Sequence, residues 1–382
     1  MRYDAIVIGC GGVGSAALFH LASRDARVLG LDRFPPGHDH GSSHGATRVI
    51  RQAYFEHPDY VPLLQRAYAL WQALEQRRSQ RLYVETGVLA IGPPDGAVLS
   101  GTLHSAARHA LPVERLNAQQ LGERFPGFRV PDGYAGVLER NGGYLHVEDC
   151  VIAHAGLAET LGAELRVGEA VTGWEADDSG VVVHTATGAY RGERLVVTAG
   201  AWAGALLADL GVALQPLRKH LHWYGTDDTR YRQGNGCPVF FYDLPHGTFY
   251  GFPQRDSLGV KVAEHSGGEP IRDPSRLDRS LDQREQRRNE QFVRSHLPGV
   301  TGPRTHHAVC MYTMSPDEHF LLDRHPRHDN VLFCAGLSGH GFKFASVLGA
   351  ILAELALDGA TPSPCGFLSL ARFAGSGPAR RH

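Results

Sequence analysis

A glycine-rich turn near the start of the chain constrains the fold more than any other feature of the sequence. The turn, residues 9–14, follows an apolar run, residues 5–8, which is typical of a parallel strand buried on both faces. Gly9, Gly11 and Gly14 match the pattern G-x-G-x-x-G. Such glycines permit a tight turn and let the backbone approach a pyrophosphate at the N-terminus of the next helix. The sequence therefore predicts a dinucleotide-binding site.

An acidic residue strengthens this prediction. A second apolar strand, predicted over residues 27–31, ends at Asp32. This position is roughly 20 residues after the first glycine, where dinucleotide sites carry an acid that accepts hydrogen bonds from a ribose. The turn, the helix and the acid indicate a Rossmann-like unit, but they do not distinguish FAD from NAD.

The last predicted strand favours FAD. Residues 330–336 form an apolar run that leads through a second glycine-rich turn, residues 337–343, into a predicted helix over 344–357. This turn brings another positive helix end toward the ligand. In a flavoprotein, a helix end at that position stabilises negative charge on the reduced flavin ring.

Composition narrows the class of protein. The 382 residues carry 38 Lys and Arg against 40 Asp and Glu, which excludes a strongly basic nucleic-acid-binding protein. Six cysteines lie far apart without a C-x-x-C pair, so we expect free thiols and no disulfide. No apolar run reaches the length of a membrane span, and no secretory signal is recognised. A cytoplasmic location is therefore expected.

The expected fold class is α/β (α+β), with a Rossmann-like FAD-binding domain and a second, mostly antiparallel β-sheet substrate domain. The second domain is indicated by aromatic, alternating strands with Pro and Gly turns between about residues 215 and 313. The predicted FAD-binding domain comprises residues 1–85, 145–214 and 318–372, the substrate domain residues 86–144 and 215–317, and a disordered tail residues 373–382.

Three longer motifs carry a resemblance to a known family. They are residues 41–51 (GSSHGATRVIR), 310–318 (CMYTMSPDE) and 339–343 (GHGFK). In these motifs and their order, the chain resembles the monomeric sarcosine oxidase and N-methyltryptophan oxidase family, within the D-amino-acid-oxidase-like flavoproteins. The resemblance implies a two-domain, monomeric amine oxidase with covalently attached FAD. Such an enzyme oxidises the C–N bond of a secondary amino acid and reduces oxygen to hydrogen peroxide, releasing formaldehyde from N-methyl substrates.

The resemblance also implies roles for two residues at the flavin. Cys310 matches the family cysteine that bonds to the flavin 8α-methyl group, and a thiolate favoured by nearby cations is the competent nucleophile. Lys261 matches the lysine beside the flavin ring, where a fixed positive charge stabilises developing superoxide.

Other residues match the family's substrate pocket. Arg51 and Lys343 correspond to the pair that holds the substrate carboxylate, one as a bidentate guanidinium and the other as a point charge. Tyr250 and His265 correspond to positions that shape the pocket and orient the amine, and Tyr312 lies two residues after Cys310. With Lys261, these three are the expected catalytic residues. The residues implied to contact the cofactor are Gly9, Gly11, Gly14, Asp32, Ser42, His44, Thr47, Arg48, Gly339, His340, Gly341 and Lys343.

Two other functions are considered. An NAD(P)-dependent dehydrogenase shares the opening glycine pattern, but it needs neither Cys310 nor the second glycine-rich turn. A metal-binding protein is the other, and we expect no metal because the strong motifs require none. Its candidate ligands are His38, Asp39, His40 and His44, with His306 and His307 elsewhere. The sequence leaves open which secondary amine is the substrate.

Overall fold

The structure, a computed structural model, describes residues 2–373. The strands in chain order are β1 (Arg2–Ile8), β2 (Val28–Asp32), β3 (Thr47–Ile50), β4 (Tyr83–Glu85), β5 (Val88–Gly92), β6 (Glu114–Leu116), β7 (Ala135–Glu139), β8 (Gly143–His146), β9 (Glu164–Val167), β10 (Val171–Asp177), β11 (Gly180–Thr185), β12 (Ala189–Val197), β13 (Gln215–Tyr224), β14 (Val239–Leu244), β15 (Gly247–Phe252), β16 (Val260–Glu264), β17 (Glu269–Pro270), β18 (Arg304–Met314), β19 (Leu321–His325) and β20 (His328–Ala335). The α-helices are α1 (Gly12–Ala22), α2 (Val61–Arg78), α3 (Ala97–Arg108), α4 (Ala118–Arg124), α5 (Val147–Thr160), α6 (Ala203–Leu206), α7 (Gln283–His296) and α8 (Ala345–Leu357).

The centre of the first sheet is parallel, in the order β9, β2, β1, β12 and β20. Ile6 of β1 lies opposite Leu29 of β2 on one side and Leu195 of β12 on the other. All three side chains are fully buried, as expected for a parallel sheet covered on both faces. The strand predicted over residues 5–8 is confirmed, and β1 extends it back to Arg2.

Alternation along β1 separates two apolar cores. Ala5 and Val7 pack in a cluster with residues of α1, α2, α5 and α8, whereas Ile6 and Ile8 pack in a cluster with Val181 of β11. Successive side chains of a strand point to opposite faces, so one apolar strand contributes to both cores. The helices predicted after both glycine-rich turns are α1 and α8, and they pack together in the first core.

The second sheet has the order β17, β13, β16, β15, β14, β5, β7 and β6, with β18 paired to β13. Every pairing is antiparallel except that of β14 with β5. The prediction of a mostly antiparallel second sheet is thus confirmed. The parallel pair arises because β5 comes from a much earlier part of the chain, so no tight hairpin joins it to β14.

A small antiparallel sheet of β3, β8 and β4 completes the strands. The domain boundaries expected from the sequence remain a prediction. A short 3-10 helix, Leu370–Phe373, reaches the first residue of the predicted tail, and the rest of that tail lies outside the described residues. All six cysteines are free thiols, as expected. Across residues 2–373, no helix combines the length and apolar character needed to cross a membrane.

Candidate active site

One cavity of about 350 Å³ joins the first glycine-rich turn to the second sheet. It collects most of the residues singled out in the sequence: Gly9, Gly11, Asp32, Ser42, Arg48, Arg51, Tyr250, His265, Tyr312, Gly339, His340, Gly341 and Lys343. Five candidates do not line the cavity directly: Gly14, His44, Thr47, Lys261 and Cys310. Residues more than three hundred positions apart in sequence, such as Gly9 and Lys343, therefore meet around one space.

The glycine turn is packed too tightly for side chains. A Cβ on Gly14 would lie 1.8 Å from the carbonyl oxygen of Gly9, so the first turn of α1 touches the end of β1. In the second turn, Gly339 has a positive φ of 81°, and a Cβ there would lie 2.3 Å from the Tyr312 ring. Both turns thus need glycine, and both leave backbone at the cavity.

Asp32 lies at the end of β2 with its carboxylate fixed by backbone amides. Its Oδ2 accepts a hydrogen bond from the amide of Cys10 at 2.6 Å, and its Oδ1 accepts one from the amide of Phe34 at 2.9 Å. Ser43 Oγ accepts a bond from the amide of Gly12 at 3.2 Å. The acid predicted to bind a ribose is therefore held rigidly at the cavity wall.

The candidate catalytic residues share one face of the second sheet. Tyr250 of β15 lies opposite Ala263 of β16, and Lys261 is two residues before Ala263, on the same face. Directly after β16, His265 continues that alternation, and its Nδ1 lies 3.3 Å from the hydroxyl oxygen of Tyr312 on β18. Strand periodicity thus brings side chains from three strands to one face.

Cys310 lies on β18 beside a cation. Its Sγ accepts a hydrogen bond from Arg48 Nη2 at 3.1 Å, and the same Nη2 donates to the Ser42 carbonyl at 2.8 Å. Cys310 is 1% exposed, and Arg48 lines the cavity. The Arg48 guanidinium therefore links the loop that contains Ser42 to the thiol of Cys310.

Lys261 is held by three oxygen atoms. Its Nζ donates to the carbonyls of Gly45 at 2.7 Å and Thr47 at 2.9 Å, and it lies 3.1 Å from Thr47 Oγ1. Burial and then the neighbouring Arg48 guanidinium lower the pKa of Lys261. The oxygen atoms favour the protonated ammonium, which sits 4.7 Å from the centre of the Phe252 ring.

Arg51 follows β3 and is paired with a carboxylate that the sequence analysis missed. Its Nη2 donates to both oxygens of Glu56, at 2.9 and 2.7 Å, and its Nη1 donates to the Ala53 carbonyl at 2.9 Å. Burial favours the neutral acid, but the Arg51 guanidinium, helped by His340 and Lys343, outweighs it and lowers the pKa of Glu56 to about 2. Arg51 and Glu56 both line the cavity.

Lys343 lies in a 3-10 helix (Phe342–Phe344) before α8, near Arg51. Its Nζ donates to the His340 carbonyl at 2.8 Å and lies 3.4 Å from the Tyr54 hydroxyl. Burial, followed by repulsion from Arg51, lowers the pKa of Lys343 to about 7. Below about pH 7, this end of the cavity therefore has two cations, Arg51 and Lys343, against the carboxylate of Glu56.

A hydrogen bond and a lowered pKa together indicate the neutral form of His340. Its Nε2 lies 3.0 Å from the Glu318 carbonyl, which can only accept, so Nε2 carries the proton. Its Nδ1 then accepts from the Tyr54 hydroxyl at 2.6 Å. Burial lowers the pKa of His340 to about 4. Burial and then repulsion from Lys219 lower the pKa of His265 to about 3. Both imidazoles are neutral near pH 7.

His44 is buried near the same cations. It is 3% exposed, and its Nε2 has no hydrogen-bond partner among the described residues. Burial and then Arg48 lower the pKa of His44 to about 3, so the ring is neutral. A buried polar nitrogen without a partner is costly, and a bound ligand offering a hydrogen bond would relieve that cost.

The histidines considered as metal ligands make other contacts. His40 stacks on Phe34 at 4.1 Å, and His306 packs edge-on against Trp223 at 4.8 Å. Within residues 2–373, no three His, Cys, Asp or Glu side chains are arranged to hold a metal ion.

The residues fit a flavin dinucleotide. Three features suit the polar groups of such a ligand. They are the backbone of the glycine-rich turns, the fixed carboxylate of Asp32 at the end of β2, and the buried His44 nitrogen that has no partner among the described residues. The thiol of Cys310, beside the Arg48 guanidinium, lies on the strand of the second sheet that reaches the cavity.

Comparisons with known proteins agree with this geometry. Residues 4–355 match the family model "FAD dependent oxidoreductase". A monomeric sarcosine oxidase of Bacillus sp. (strain NS-129) is 40% identical over 378 residues, covering 98% of this chain and 97% of that enzyme. An N-methyl-L-tryptophan oxidase of Escherichia coli O139:H28 is 42% identical over 368 residues, covering 94% and 96%. A solved structure of NikD, an unusual amino acid oxidase essential for nikkomycin biosynthesis, has a TM-score of 0.84 at 29% identity, covering 96% and 97%.

The family match and the near full-length relatives make this protein a flavin-dependent amine oxidoreductase, and its parallel sheet and glycine-rich turns at the cavity agree with that class. Within that class, the chain belongs to the FAD-dependent oxidoreductase family that includes the monomeric sarcosine oxidases and the N-methyl-L-tryptophan oxidases. The choice between FAD and a nicotinamide cofactor, left open by the glycine pattern, is thereby made for FAD.

Proposed function

We propose that this enzyme oxidises the C–N bond of secondary, N-methylated amino acids. Removing two electrons and two protons from the N-methyl amine gives an imine, and water converts the imine to formaldehyde and the demethylated amino acid. The two electrons and two protons reduce oxygen to hydrogen peroxide. Relatives named as sarcosine and N-methyl-L-tryptophan oxidases support this reaction class.

One observation carries the proposal. Two buried cations, Arg51 and Lys343, line the cavity that also holds Tyr250, His265 and Tyr312. The pair suits the carboxylate of an amino acid, and the substrate carboxylate replaces Glu56 as the partner of Arg51. With the carboxylate held at that end, the rest of the substrate faces the aromatic residues.

The pocket favours the reactive form of the amine. A neutral secondary amine has the lone pair that C–N oxidation needs, whereas the protonated form lacks it. Nearby cations disfavour a further positive charge and so lower the pKa of a bound amine. His265 is neutral because burial and then Lys219 lower its pKa to about 3, and its Nδ1 interacts with the Tyr312 hydroxyl. His265 and Tyr312 therefore orient the amine without adding charge.

FAD, when bound, accepts two electrons from the substrate and passes them to oxygen. The glycines of the first turn would hold its pyrophosphate, and Asp32 would accept from its ribose. Cys310 is proposed to attach it covalently, with the Arg48 guanidinium hydrogen-bonded to its Sγ. The flavin ring system is proposed to be surrounded by Ser42, His44, Thr47, Gly339, His340 and Gly341.

Lys261 is proposed to supply a fixed positive charge where oxygen is reduced. Its ammonium is held by Gly45 and Thr47, so little reorganisation is needed when negative charge develops. We also propose a monomer, as the relatives named monomeric sarcosine oxidases are. The expected cytoplasmic location remains a prediction.

A substrate panel tests the proposal. The purified holoenzyme is incubated in air with sarcosine, with larger N-methyl amino acids and with N-methylbutylamine, which lacks a carboxylate. Peroxide and formaldehyde are expected in equal amounts from the N-methyl amino acids. The oxidation of N-methylbutylamine is expected to be at least tenfold slower. Formation of NAD(P)H from added NAD(P), without peroxide, would contradict the proposal and support a dehydrogenase.

A further inference from the structure

A second, smaller cavity of about 20 Å³ lies behind the substrate end of the first. The two cavities share three lining residues, Arg51, Val88 and Phe241, which form the wall between them. A space of this size holds about one water molecule. The substrate pocket therefore has unused volume directly behind part of its wall.

The two cavities lie over one continuous face of the second sheet. Phe241 of β14 lies opposite Tyr250 of β15 on one side and opposite Ala90 of β5 on the other. Ala90 in turn lies opposite Val137 of β7. Directly opposed residues share a face, so the row runs from the pocket residue Tyr250 through Phe241 to the floor of the rear cavity. The small side chain of Ala90 leaves space beside the Phe241 ring.

The rear cavity is lined mostly by apolar side chains, including those of Ala90, Val98 and Val137. Its buried carboxylate, Glu139, is already satisfied because it accepts the amides of Gln52 at 2.6 Å and Ala53 at 2.8 Å. The space therefore suits an apolar group rather than a polar one.

Of the three wall residues, Phe241 is the one whose side chain can be displaced. Arg51 is held by Glu56 and Ala53, and Val88 is β-branched and restricted at χ1. The backbone of Phe241 is paired on both sides, so only its ring can move. That ring packs with its centre 5.5 Å from the Phe55 ring and 5.9 Å from the His265 ring.

We propose that Phe241 determines substrate size by separating the substrate pocket from the rear cavity. The ring limits the α-substituent of an N-methyl amino acid to hydrogen or a small apolar group. Without the ring, a larger apolar α-substituent extends over Ala90 toward Val98. This inference rests on the proposed function and adds its substrate class.

The experiment measures kcat/KM for sarcosine, N-methyl-L-alanine, N-methyl-L-leucine and N-methyl-L-tryptophan, with peroxide as the readout. In the native enzyme kcat/KM is expected to fall as the substituent grows. Phe241→Ala is expected to raise the leucine-to-sarcosine ratio roughly tenfold or more, since one methylene in an apolar pocket is worth about that factor. Phe241→Leu is expected to give a smaller shift while keeping an apolar residue in the strand.

Val98→Ala is the matched control, because Val98 lines the rear cavity and not the first. Alone it is expected to leave the ratio within about twofold, whereas in the Phe241→Ala background it raises the ratio further. Such non-additivity is expected only when both residues border one shared space.

Three results would overturn the inference. They are an unchanged ratio in both Phe241 variants with full flavin content, a native preference for N-methyl-L-tryptophan, and an equal effect of Val98→Ala in both backgrounds. A native holoenzyme that oxidises none of the four substrates would instead show that the proposed function itself fails, and the inference with it.

Discussion

Arg48 Nη2 lies 3.1 Å from the Sγ of Cys310 and also donates to the Ser42 carbonyl. The guanidinium, on β3 of the small sheet, joins the loop before that strand to β18 of the second sheet. Cys310 is buried and Arg48 is half-buried at the cavity, so the contact between them is largely shielded from solvent. Their geometry is the basis of the proposal that Cys310 attaches the flavin.

Cys310→Ser is expected to keep FAD but lose its covalent attachment. After acid precipitation, the native protein should give a yellow pellet, whereas the variant should release the colour to the supernatant. Cys334→Ala, in the core of the first sheet, serves as the control and should keep a yellow pellet. A yellow pellet from Cys310→Ser would assign the attachment to another residue.

Lys261→Met is expected to impair reaction with oxygen rather than with the amine. Removing one preorganised charge costs roughly 100- to 1,000-fold in the step it stabilises. Stopped-flow reduction by sarcosine without oxygen should therefore change by less than about tenfold, while reoxidation in air should slow by the larger factor. Lys219→Met is the control for the oxygen step alone, because Lys219 is another buried cation that does not line the cavity and its Nζ is bound by the carbonyls of Ser266 and Gly267; its reoxidation should be unchanged. Unchanged reoxidation in Lys261→Met argues against the assigned role.

Glu56→Gln is expected to strengthen binding of a carboxylate ligand. In the native protein the Glu56 carboxylate is bound to the Arg51 guanidinium. A neutral amide at position 56 binds the guanidinium less strongly, so a ligand carboxylate displaces it at a smaller cost in free energy. The Kd of methoxyacetate, followed through the flavin spectrum, should fall roughly tenfold, as for one charged hydrogen bond. Arg51→Gln should raise it by a similar factor. Weaker binding in Glu56→Gln would mean that Glu56 supports the bound state.

Carboxylate binding is expected to weaken as the pH rises through about 7. Burial and then Arg51 lower the pKa of Lys343 to about 7, so its ammonium is present below that pH and lost above it. Glu56, with a pKa of about 2, does not titrate in this range. The Kd of methoxyacetate, which carries no amine, should rise between pH 6 and 8, and Lys343→Met should remove the dependence. A pH-independent Kd in the native enzyme contradicts this assignment.

Local patterns predicted the frame of the molecule. The apolar runs at residues 5–8 and 330–336, each followed by glycines, identified β1, α1, β20 and α8 because buried parallel strands and phosphate-binding turns have strong sequence signals. The alternating aromatic segments likewise indicated the second sheet.

Pairings between distant segments were not accessible from the sequence. Three such pairings depend on how the sheets meet: the ion pair of Glu56 with Arg51, the hydrogen bond that Glu139 accepts from the Gln52 amide, and the parallel pairing of β5 with β14. A lone glutamate carries no local signal for its partner. The rear cavity beside Ala90 could not be predicted either, because packing voids arise from tertiary arrangement.

The most direct test adds sarcosine or N-methyl-L-alanine to the purified yellow protein without oxygen and records its spectrum. We expect loss of the yellow flavin absorbance, about one formaldehyde per flavin, and return of the colour with peroxide when air is admitted. A spectrum unchanged by any N-methyl amino acid, from protein carrying a full complement of FAD, would contradict the proposed oxidation of N-methyl amino acids.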